Sequence, residues 1–381
     1  MLSICTEFRI FEAIKWDRVR LLFCSLAIVM TIRMIEAVWL FLFLSPEGRF
    51  STPWMEINPT LIPKPLNWLW LFNGWDSLQF QTVAKFGYAH PNYVFLPAYP
   101  ILIRFAGLLT GDIWLGAFLV TQIFALASVV AFQLVAQTYM RRKEALCASL
   151  LMATFPYVSV FTTLSYSEPV FLFASLLTWY FYRRRRIGAA SLFAGFASLT
   201  RIYGIVIVLP LAIGLVRSKH YRKLLYIVIP IAFIGAWTLY CYLSTGDPTV
   251  SWADERYWTH GASGDGIGLV RAILFQGLHG LLVCCSGLDP VVFFSISIFA
   301  YLLIRVWRVD CLLWLYSTIL FGLLIFTSPS YVSLLRFLAF IFPVWLTVRV
   351  RNLITASVCI AFFITGSLLV WLYAIAITFV G

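Results

Sequence analysis

The feature that most constrains this chain is a series of apolar runs separated by short basic clusters. A helix that crosses a bilayer needs about 20 apolar residues, and fewer where the bilayer thins. Eleven apolar runs are candidate spans, some of them short: 20–44, 112–139, 144–163, 167–182, 187–200, 203–216, 224–244, 289–306, 311–327, 335–348 and 353–379. Of the 381 residues, 62% are hydrophobic and 12% charged, far from the balance of a soluble domain. We therefore predict an all-α, polytopic transmembrane protein with a single domain over 1–381.

Basic clusters set the predicted orientation of the spans. They are Arg9/Lys15/Arg18/Arg20, Arg141/Arg142/Lys143, Arg183–Arg186, Arg217/Lys219/Arg222/Lys223, Arg305/Arg308 and Arg349/Arg351. With a cytosolic N-terminus, eleven spans put every cluster on the cytosolic side, as the positive-inside rule requires. Two further apolar segments, 94–109 and 267–286, must then lie at the interface without crossing. Topology thus accounts for the net charge of +12, and no nucleic-acid partner is expected.

Four loops are then predicted on the opposite, lumenal or extracytoplasmic side. The large first loop, 45–111, is predicted to carry interfacial helices, and 245–288 is the second large loop; 164–169 and 328–336 are short. Together they hold eight of the 16 acidic residues: Glu47, Glu56, Asp76, Glu168, Asp247, Asp254, Glu255 and Asp265. Acids and isolated arginines at a membrane surface indicate a site for a phosphate-bearing lipid and a polar acceptor.

Two of these acids are candidate catalytic residues. Asp76 follows Trp75 at predicted headgroup depth, where partial desolvation suits a general base acting on a sugar hydroxyl. An N-cap for a helix that starts at Ser77 is the alternative role. Glu168, followed by Pro169, also fits a helix start. A carboxylate at the membrane edge is nevertheless costly unless it has a function.

Two lone arginines are candidates for binding a lipid phosphate. The stretch 187–216 is predicted to bend at 200–204, which puts Arg201 near a membrane surface instead of in the bilayer centre. Arg336 lies at the last outer loop. A planar guanidinium suits phosphate, and snorkelling to the headgroups is the alternative. Arg33 and Glu36 share a face of the first span and are predicted to pair with each other or with a neighbouring helix.

The segment GDPTVSWADERYW (246–258) is a candidate glycan-binding stretch. Its Trp252 could stack on a sugar, and a solvated loop is the alternative. The four histidines and eight cysteines show no spacing that suits a metal, so neither a metal nor a cofactor is expected.

Several motifs resemble those of the PIG-V mannosyltransferases. The segment NGWDSLQFQTVAKFGY…VFLPAYPILIR (73–104) is similar to the first-loop motif of that family, with its Trp-Asp pair and its aromatic-proline ending. YSEPVFLF (166–173) is similar to a Tyr-Ser-Glu-Pro turn, and AGFASLTRIYG (194–204) to an Ala-Gly hairpin. GDPTVSW and LLRF…FP are looser matches. Gly74 and Phe337 depart from the family pattern, which usually has Arg and Tyr there.

The resemblance implies a C-type glycosyltransferase (GT-C) fold and a specific chemistry. Mannose would move from dolichyl-phosphate mannose, or from a polyprenyl-phosphate sugar, to a lipid-linked glycan. In the PIG-V reaction it is the second, α-1,6-linked mannose of the GPI-anchor precursor, added in the endoplasmic reticulum lumen. Asp76 matches the proposed base of the family, Glu168 its second-loop acid, and Arg201 and Arg336 its two basic residues. We therefore predict Asp76 and Glu168 as catalytic residues, and Trp75, Tyr99, Arg201, Arg336 and Trp252 as substrate-binding residues.

Three other functions stay open at the level of sequence. A prokaryotic PIG-V-like enzyme would use a polyprenyl-phosphate sugar and another acceptor at the plasma membrane. A transporter or flippase for lipid-linked sugars should show paired broken helices in two repeats, but 200–204 has no counterpart in a second half. A non-catalytic subunit of a glycosylation complex is the third. The expected partners are membrane lipid, the sugar donor and a glycolipid acceptor, with a small membrane partner subunit left open.

Overall fold

The structure, a computed structural model, describes residues 20, 22–38, 69, 72–73, 76–258, 289–327, 331–350 and 352–380. This part of the chain is built of helices and contains no β-strand, which confirms the all-α prediction. Trp75, the segment 267–286 and most of the first loop before Asp76 lie outside the described residues.

Most of the helices follow the predicted apolar runs. The described helices are α1 (22–38), α2 (Asp76–Phe86), α3 (Ala98–Thr110), α4 (Ile113–Ala136), α5 (Arg142–Thr154), α6 (Pro156–Thr163), α7 (Glu168–Arg183), α8 (Ile187–Thr200), α9 (Val208–Arg217), α10 (Val228–Thr245), α11 (Val250–Trp258), α12 (Asp289–Trp307), α13 (Cys311–Thr327), α14 (Tyr331–Ala339) and α15 (Leu353–Val380). Three 3₁₀ segments, Ile202–Ile207, Tyr221–Ile227 and Phe342–Thr347, adjoin them. Helices α2, α3 and α11 do not follow apolar runs, since they lie in the two large predicted loops.

The described helices support an integral membrane protein but leave the number of spans open. Three segments are long and apolar enough to cross a bilayer: Ile113–Ala136, Tyr221–Thr245 and Ile354–Trp371. The pair α5 and α6 would make a fourth if it forms one bent span. Other apolar helices, such as α8, have only 10–17 residues. The count of eleven spans therefore stays a prediction.

The predicted span 144–163 is interrupted by a bend. The chain forms two helices there, α5 and α6, bent by 66°. Pro156 opens α6, and Phe155 before it adopts an extended ψ of 132°. Proline disfavours helical geometry in the preceding residue and has no N–H to donate, so α5 must end before it. A second predicted span, 335–348, is likewise divided into α14 and the 3₁₀ segment Phe342–Thr347, which contains Pro343.

The bend predicted at 200–204 is confirmed. Helix α8 ends at Thr200, Arg201 is extended with φ −146° and ψ 134°, and a 3₁₀ turn follows. Gly204 lies directly against α8, because a Cβ there would come within 2.4 Å of the Ala197 carbonyl carbon. The absence of a side chain at Gly204 thus lets the turn fold back on α8 and holds Arg201 at the end of the helix.

The two ends of α7 differ in charge. The helix begins at Glu168 and ends at Arg183, about 24 Å away for 16 residues. At the basic end, Asp310 lies 3.8 Å from Arg183 Nη1 and accepts a 3.0 Å hydrogen bond from the Tyr139 hydroxyl. Arg217 Nη1 donates to Cys311 Sγ at 3.1 Å. Basic clusters from separate segments therefore meet at one end of the bundle, opposite Glu168.

Helix α1 is held in the bundle by its own two charged residues. Arg33 Nη1 donates to the Thr162 carbonyl at 2.8 Å and to Gln122 Oε1 at 2.5 Å. Glu36 accepts a 2.7 Å hydrogen bond from Ser159. Both side chains are buried. The predicted pairing with a neighbouring helix is thus present, and these bonds fix the last turn of α6, next to the turn that carries Glu168.

The first-loop helices α2 and α3 pack on α4 and α7 through an aromatic cluster. Phe80 makes edge contacts with Tyr99 and Phe95, at centroid distances of 4.9 and 5.0 Å. Tyr99, Ala117 and Val170 are fully buried beside them. Packing of this kind fixes the start of α2, and with it Asp76, relative to the start of α7.

Candidate active site

Four charged side chains from separate segments meet at the acidic end of the bundle. Arg336 Nη1 donates to Asp76 Oδ2 at 3.1 Å, and Arg336 Nε lies 3.2 Å from Glu168 Oε1. Arg201 Nη2 donates to the same Glu168 oxygen at 2.6 Å. Asp76 opens α2, Glu168 opens α7, Arg201 follows α8 and Arg336 lies in α14. The structure thus brings together four of the residues that the sequence singled out.

The two acids of this cluster differ in exposure. The Glu168 side chain is 1% exposed and lies between both guanidinium groups, whereas that of Asp76 is 36% exposed. A buried carboxylate between two arginines holds them in place through charge-assisted hydrogen bonds. Asp76 is the acid of the pair that a substrate hydroxyl can reach.

Aromatic rings support both arginines. The guanidinium carbons of Arg201 and Arg336 lie 4.6 and 4.5 Å from the centroid of the Phe337 ring. Arg336 also lies 5.2 Å from the rings of Phe161 and Tyr166. These distances are within the range of cation–π attraction, which strengthens as water is excluded. The rings therefore fix the guanidinium planes.

The turn that carries Tyr166 and Glu168 is also joined to the chain just before helix α2. The amide of Ser165, the residue before Tyr166, donates a 2.8 Å hydrogen bond to the carbonyl of Phe72, four residues before Asp76. Burial, with the charge of Asp76, raises the pKa of Tyr166 well above its usual value. The hydroxyl therefore stays protonated and contributes no negative charge to the site.

Several buried polar atoms at the site have no hydrogen-bond partner among the described residues. They are Arg201 Nε, Glu168 Oε2 and the hydroxyls of Ser165 and Ser167. Buried polar groups are nearly always hydrogen-bonded, so a cluster of exceptions needs an explanation. A polar ligand between the arginines would supply one.

Helix α11 is attached to the first loop beside this cluster. The fully buried Asp254 accepts a 2.7 Å hydrogen bond from the Tyr93 amide and lies 2.5 Å from His90 Nδ1. The Ser251 hydroxyl donates to the Tyr93 carbonyl at 2.9 Å. Val250, at the start of α11, packs in one apolar cluster with Leu199, two residues before Arg201. Burial raises the pKa of Glu255, the residue after Asp254, and the positive charge of Arg201 opposes this shift.

Of the remaining predicted site residues, Trp75 lies outside the described residues, Tyr99 is in α3 and Trp252 is in α11. Tyr99 is fully buried, and its hydroxyl hydrogen-bonds to Thr121 at 2.6 Å, so its side chain joins α3 to α4 inside the bundle. Trp252 is on α11 with 69% of its surface exposed. The described residues contain no group of three or more His, Cys, Asp and Glu side chains that could hold a metal ion.

Sequence reasoning gave no role at the site to the side chains of Tyr166 or Phe337, and it included Glu255 only as part of the candidate glycan-binding stretch 246–258. Tyr166 and Phe337 directly adjoin motif residues, Tyr166 two positions before Glu168 and Phe337 one after Arg336. Glu255 is three residues after Trp252, which is one helical turn. Such spacings could have indicated these residues, but which of them face the arginines depends on the packing of distant helices.

The arrangement can perform one type of chemistry well. It offers an accessible carboxylate to accept a proton and, within a few ångströms of it, two fixed guanidinium groups to stabilise an anion. This combination suits group transfer in which a phosphate leaves while a hydroxyl attacks.

The fold and the site define an all-α integral membrane protein with an acid–arginine site at one end of its helical bundle. Residues 18–228 match the family described as mannosyltransferase (PIG-V). This match covers more than half of the 381 residues, so the chain belongs to the PIG-V mannosyltransferase family.

Two solved structures are similar to the chain at low identity. ArnT from Cupriavidus metallidurans in the apo state is 16% identical, with 71% of this chain and 55% of that chain covered and a TM-score of 0.44. The Archaeoglobus fulgidus oligosaccharyltransferase, in complex with zinc and sulfate, is 16% identical, with 93% and 52% covered and a TM-score of 0.45. The chain thus spans about half the length of each. No curated protein matches the chain.

Proposed function

We propose that this protein transfers mannose from a polyprenyl-type phosphate sugar to a hydroxyl of a lipid-linked glycan. The observation that carries the proposal is the position of Arg336. Its guanidinium lies 3.1 Å from Asp76 and 3.2 Å from Glu168. It therefore links the accessible acid to the buried acid, which also binds Arg201. Membership of the PIG-V family supports the choice of mannose.

In this mechanism, Asp76 acts as the general base. Its carboxylate takes the proton of the acceptor hydroxyl while the hydroxyl oxygen attacks the anomeric carbon of the donor. The bond from that carbon to the phosphate oxygen breaks, and its electron pair leaves with the lipid phosphate. Attack opposite to the leaving group inverts the configuration at the anomeric carbon.

Arg201 and Arg336 stabilise the departing phosphate. A phosphate monoester is already a good leaving group, so the site needs positive charge more than it needs a proton donor. Guanidinium groups held by Glu168 and the Phe337 ring can supply that charge without reorganising. Glu168 serves in this scheme as the acid that fixes the two arginines.

The finer identity of the substrates follows the family resemblance. We assign dolichyl-phosphate mannose as the donor and the GPI-anchor precursor as the acceptor, with the second, α-1,6-linked mannose as the product at the lumenal face of the endoplasmic reticulum. The alternative is a polyprenyl-phosphate sugar and another acceptor at the outer face of a prokaryotic plasma membrane.

The test is a transfer assay with purified full-length protein. Dolichyl-phosphate mannose, a bacterial-type polyprenyl-phosphate mannose and GDP-mannose are each offered with the mono-mannosylated GPI precursor. We expect transfer from a lipid-phosphate donor and none from GDP-mannose, with an α-1,6 linkage in the product. Transfer from GDP-mannose alone would overturn the proposed donor class, and transfer from neither class would overturn the function.

A further inference from the structure

Helix α11 presents two different faces beside the active site. Ser251 and Asp254, three residues apart, share the face that contacts Tyr93 in the first loop. Trp252 and Glu255, also three apart, share the next face. Because Asp254 is fully buried, the docking face is fixed, and this sets the direction of the second face.

The second face combines an exposed ring with a partly buried acid. Trp252 is 69% exposed, and Val250, at the start of α11, packs in one apolar cluster with Leu199, two residues before Arg201. In agreement with this position, the positive charge of Arg201 opposes the rise that burial causes in the pKa of Glu255. Arg201 in turn contacts Glu168 at 2.6 Å, and Glu168 lies 3.2 Å from Arg336, which contacts Asp76. The face therefore lies at the edge of the catalytic cluster, next to Arg201.

This pair of side chains fits a sugar better than a lipid chain or a phosphate. The C–H face of a pyranose packs on an aromatic ring, and an ionised carboxylate accepts hydrogen bonds from its hydroxyls. A hydrocarbon tail would leave Glu255 desolvated without a partner from the ligand. A phosphate would be repelled by its charge.

We propose that the Trp252–Glu255 face of α11 is the acceptor subsite, in which Trp252 stacks on the terminal sugar of the acceptor and Glu255 binds one of its hydroxyls. The inference rests on the proposed function and adds to it the element that recognises the acceptor. The Asp254 contacts with Tyr93 and His90 hold this subsite in place relative to Asp76.

The test separates acceptor binding from donor binding. Trp252→Ala and Glu255→Gln are each expected to raise the acceptor KM about tenfold, the effect of losing one charge-assisted hydrogen bond or one stacking contact. The donor KM and the melting temperature should stay near wild type. Trp252→Phe, which keeps a stacking ring, should recover most of the acceptor affinity.

Two residues of the same segment serve as matched controls. Tyr257→Ala removes another exposed ring of α11, one that faces His90. Asp247→Asn removes the charge of an exposed acid but keeps a capping side chain for Thr249. Both should leave the acceptor KM unchanged.

A sugar without lipid gives an independent measurement. Methyl α-mannoside should inhibit transfer by wild type in competition with the acceptor, and should inhibit Trp252→Ala about tenfold less. If the acceptor KM is unchanged in both variants, or if the donor KM rises instead, the proposed acceptor subsite is wrong. Transfer by the wild-type protein would still support the proposed function in that case. Absence of transfer by wild type from every donor would instead refute the function on which the subsite rests.

Discussion

Asp76 lies at a position for which sequence alone presents two alternative roles, a helix cap and a general base. It is the first residue of α2, the position of a residue that stabilises a helix start. Its carboxylate also pairs with Arg336 and is 36% exposed, so it can meet a substrate hydroxyl. A helix start thus places the acid, and a distant arginine orients it.

Replacing Asp76 by asparagine separates these roles. Asparagine keeps the shape and the capping ability of the side chain but cannot take a proton. We expect Asp76→Asn to lower kcat by roughly 10²–10⁴, the usual contribution of a general base. Donor binding and the melting temperature should change little. Asp112→Asn, at the N-cap of α4, is the control and should be nearly as active as wild type. Near wild-type turnover by Asp76→Asn would make Glu168 the next candidate for the base.

Arg336 tests donor recognition. A charge-assisted hydrogen bond to phosphate contributes about 1.5–3 kcal/mol. Lysine keeps the charge but not the planar, multidentate geometry. We therefore expect Arg336→Lys to raise the donor KM more than the acceptor KM in donor and acceptor titrations. Arg185→Ala, in the exposed cluster at the other end of α7, is the control and should leave both KM values close to wild type. An unchanged donor KM in the lysine variant would favour a purely structural role for Arg336.

Arg336→Ala should lower activity more than Arg336→Lys, for a second reason. It leaves the buried Glu168 carboxylate with Arg201 as its remaining ion-pair partner among the described residues. Breaking a buried pair costs about 3–5 kcal/mol. The melting temperature of Arg336→Ala must therefore be measured together with its kinetics. Arg336→Lys is the variant that tests donor binding.

At the scale of elements, the site depends on where helices stop. Pro156 ends α5 and starts α6 in a new direction, Pro169 follows Glu168 in the first turn of α7, and α8 ends just before Arg201. The start of α7 and the end of α8 bring Glu168 and Arg201 together. If the helices continued through these breaks, Glu168 and Arg201 would not meet.

Gly204 tests the bend after α8. A Cβ at this position would lie 2.4 Å from the Ala197 carbonyl carbon and 2.5 Å from its oxygen, and a helix backbone cannot move aside easily. Overpacking of this kind costs typically about 1–3 kcal/mol. We expect Gly204→Ala to lower the melting temperature of the purified protein and to reduce transfer, since Arg201 would shift. A melting temperature equal to wild type would refute the tight packing.

Gly235 in α10 is the matched control for this substitution. A Cβ added at Gly235 meets no atom within 4 Å. Alanine is favoured over glycine inside a helix by roughly 0.5–1 kcal/mol. Gly235→Ala should therefore leave the melting temperature unchanged or raise it slightly.

At the scale of the whole molecule, charge divides the bundle into two ends. Arg183, Tyr139 and Asp310 meet at one end of α7, and the acid–arginine cluster occupies the other. The positive-inside rule assigns the basic end to the cytosol. The active site would then face the lumen or the extracytoplasmic space.

Cysteine-accessibility labelling checks this orientation. Single cysteines placed near Asp76, Glu168 and Arg256 in a cysteine-free background should react with an impermeant reagent only from the lumenal side. Single cysteines within 183–186 should react only from the cytosolic side. Labelling of 183–186 from the lumen would reverse the predicted topology, and with it the side on which the substrates must meet.

The sequence by itself determined the features that arise from neighbouring residues. Apolar runs predicted the helices, the Thr200–Gly204 signal predicted the bend, and the motifs identified Asp76, Glu168, Arg201 and Arg336 as candidates. It missed the break at Pro156 within 144–163. The proline was visible, but hydropathy averaged over a whole run is insensitive to one missing hydrogen-bond donor.

Only the tertiary structure decided how the candidates combine. Asp76 and Arg336 are 260 residues apart, and their 3.1 Å contact depends on the packing of α2, α6, α7 and α14. The burial of Glu168, the exposure of Asp76 and the position of Glu255 near Arg201 likewise depend on which helix faces meet. Hydropathy and propensity act along a few residues of chain, whereas a site of this kind is set by contacts between segments that are distant in sequence.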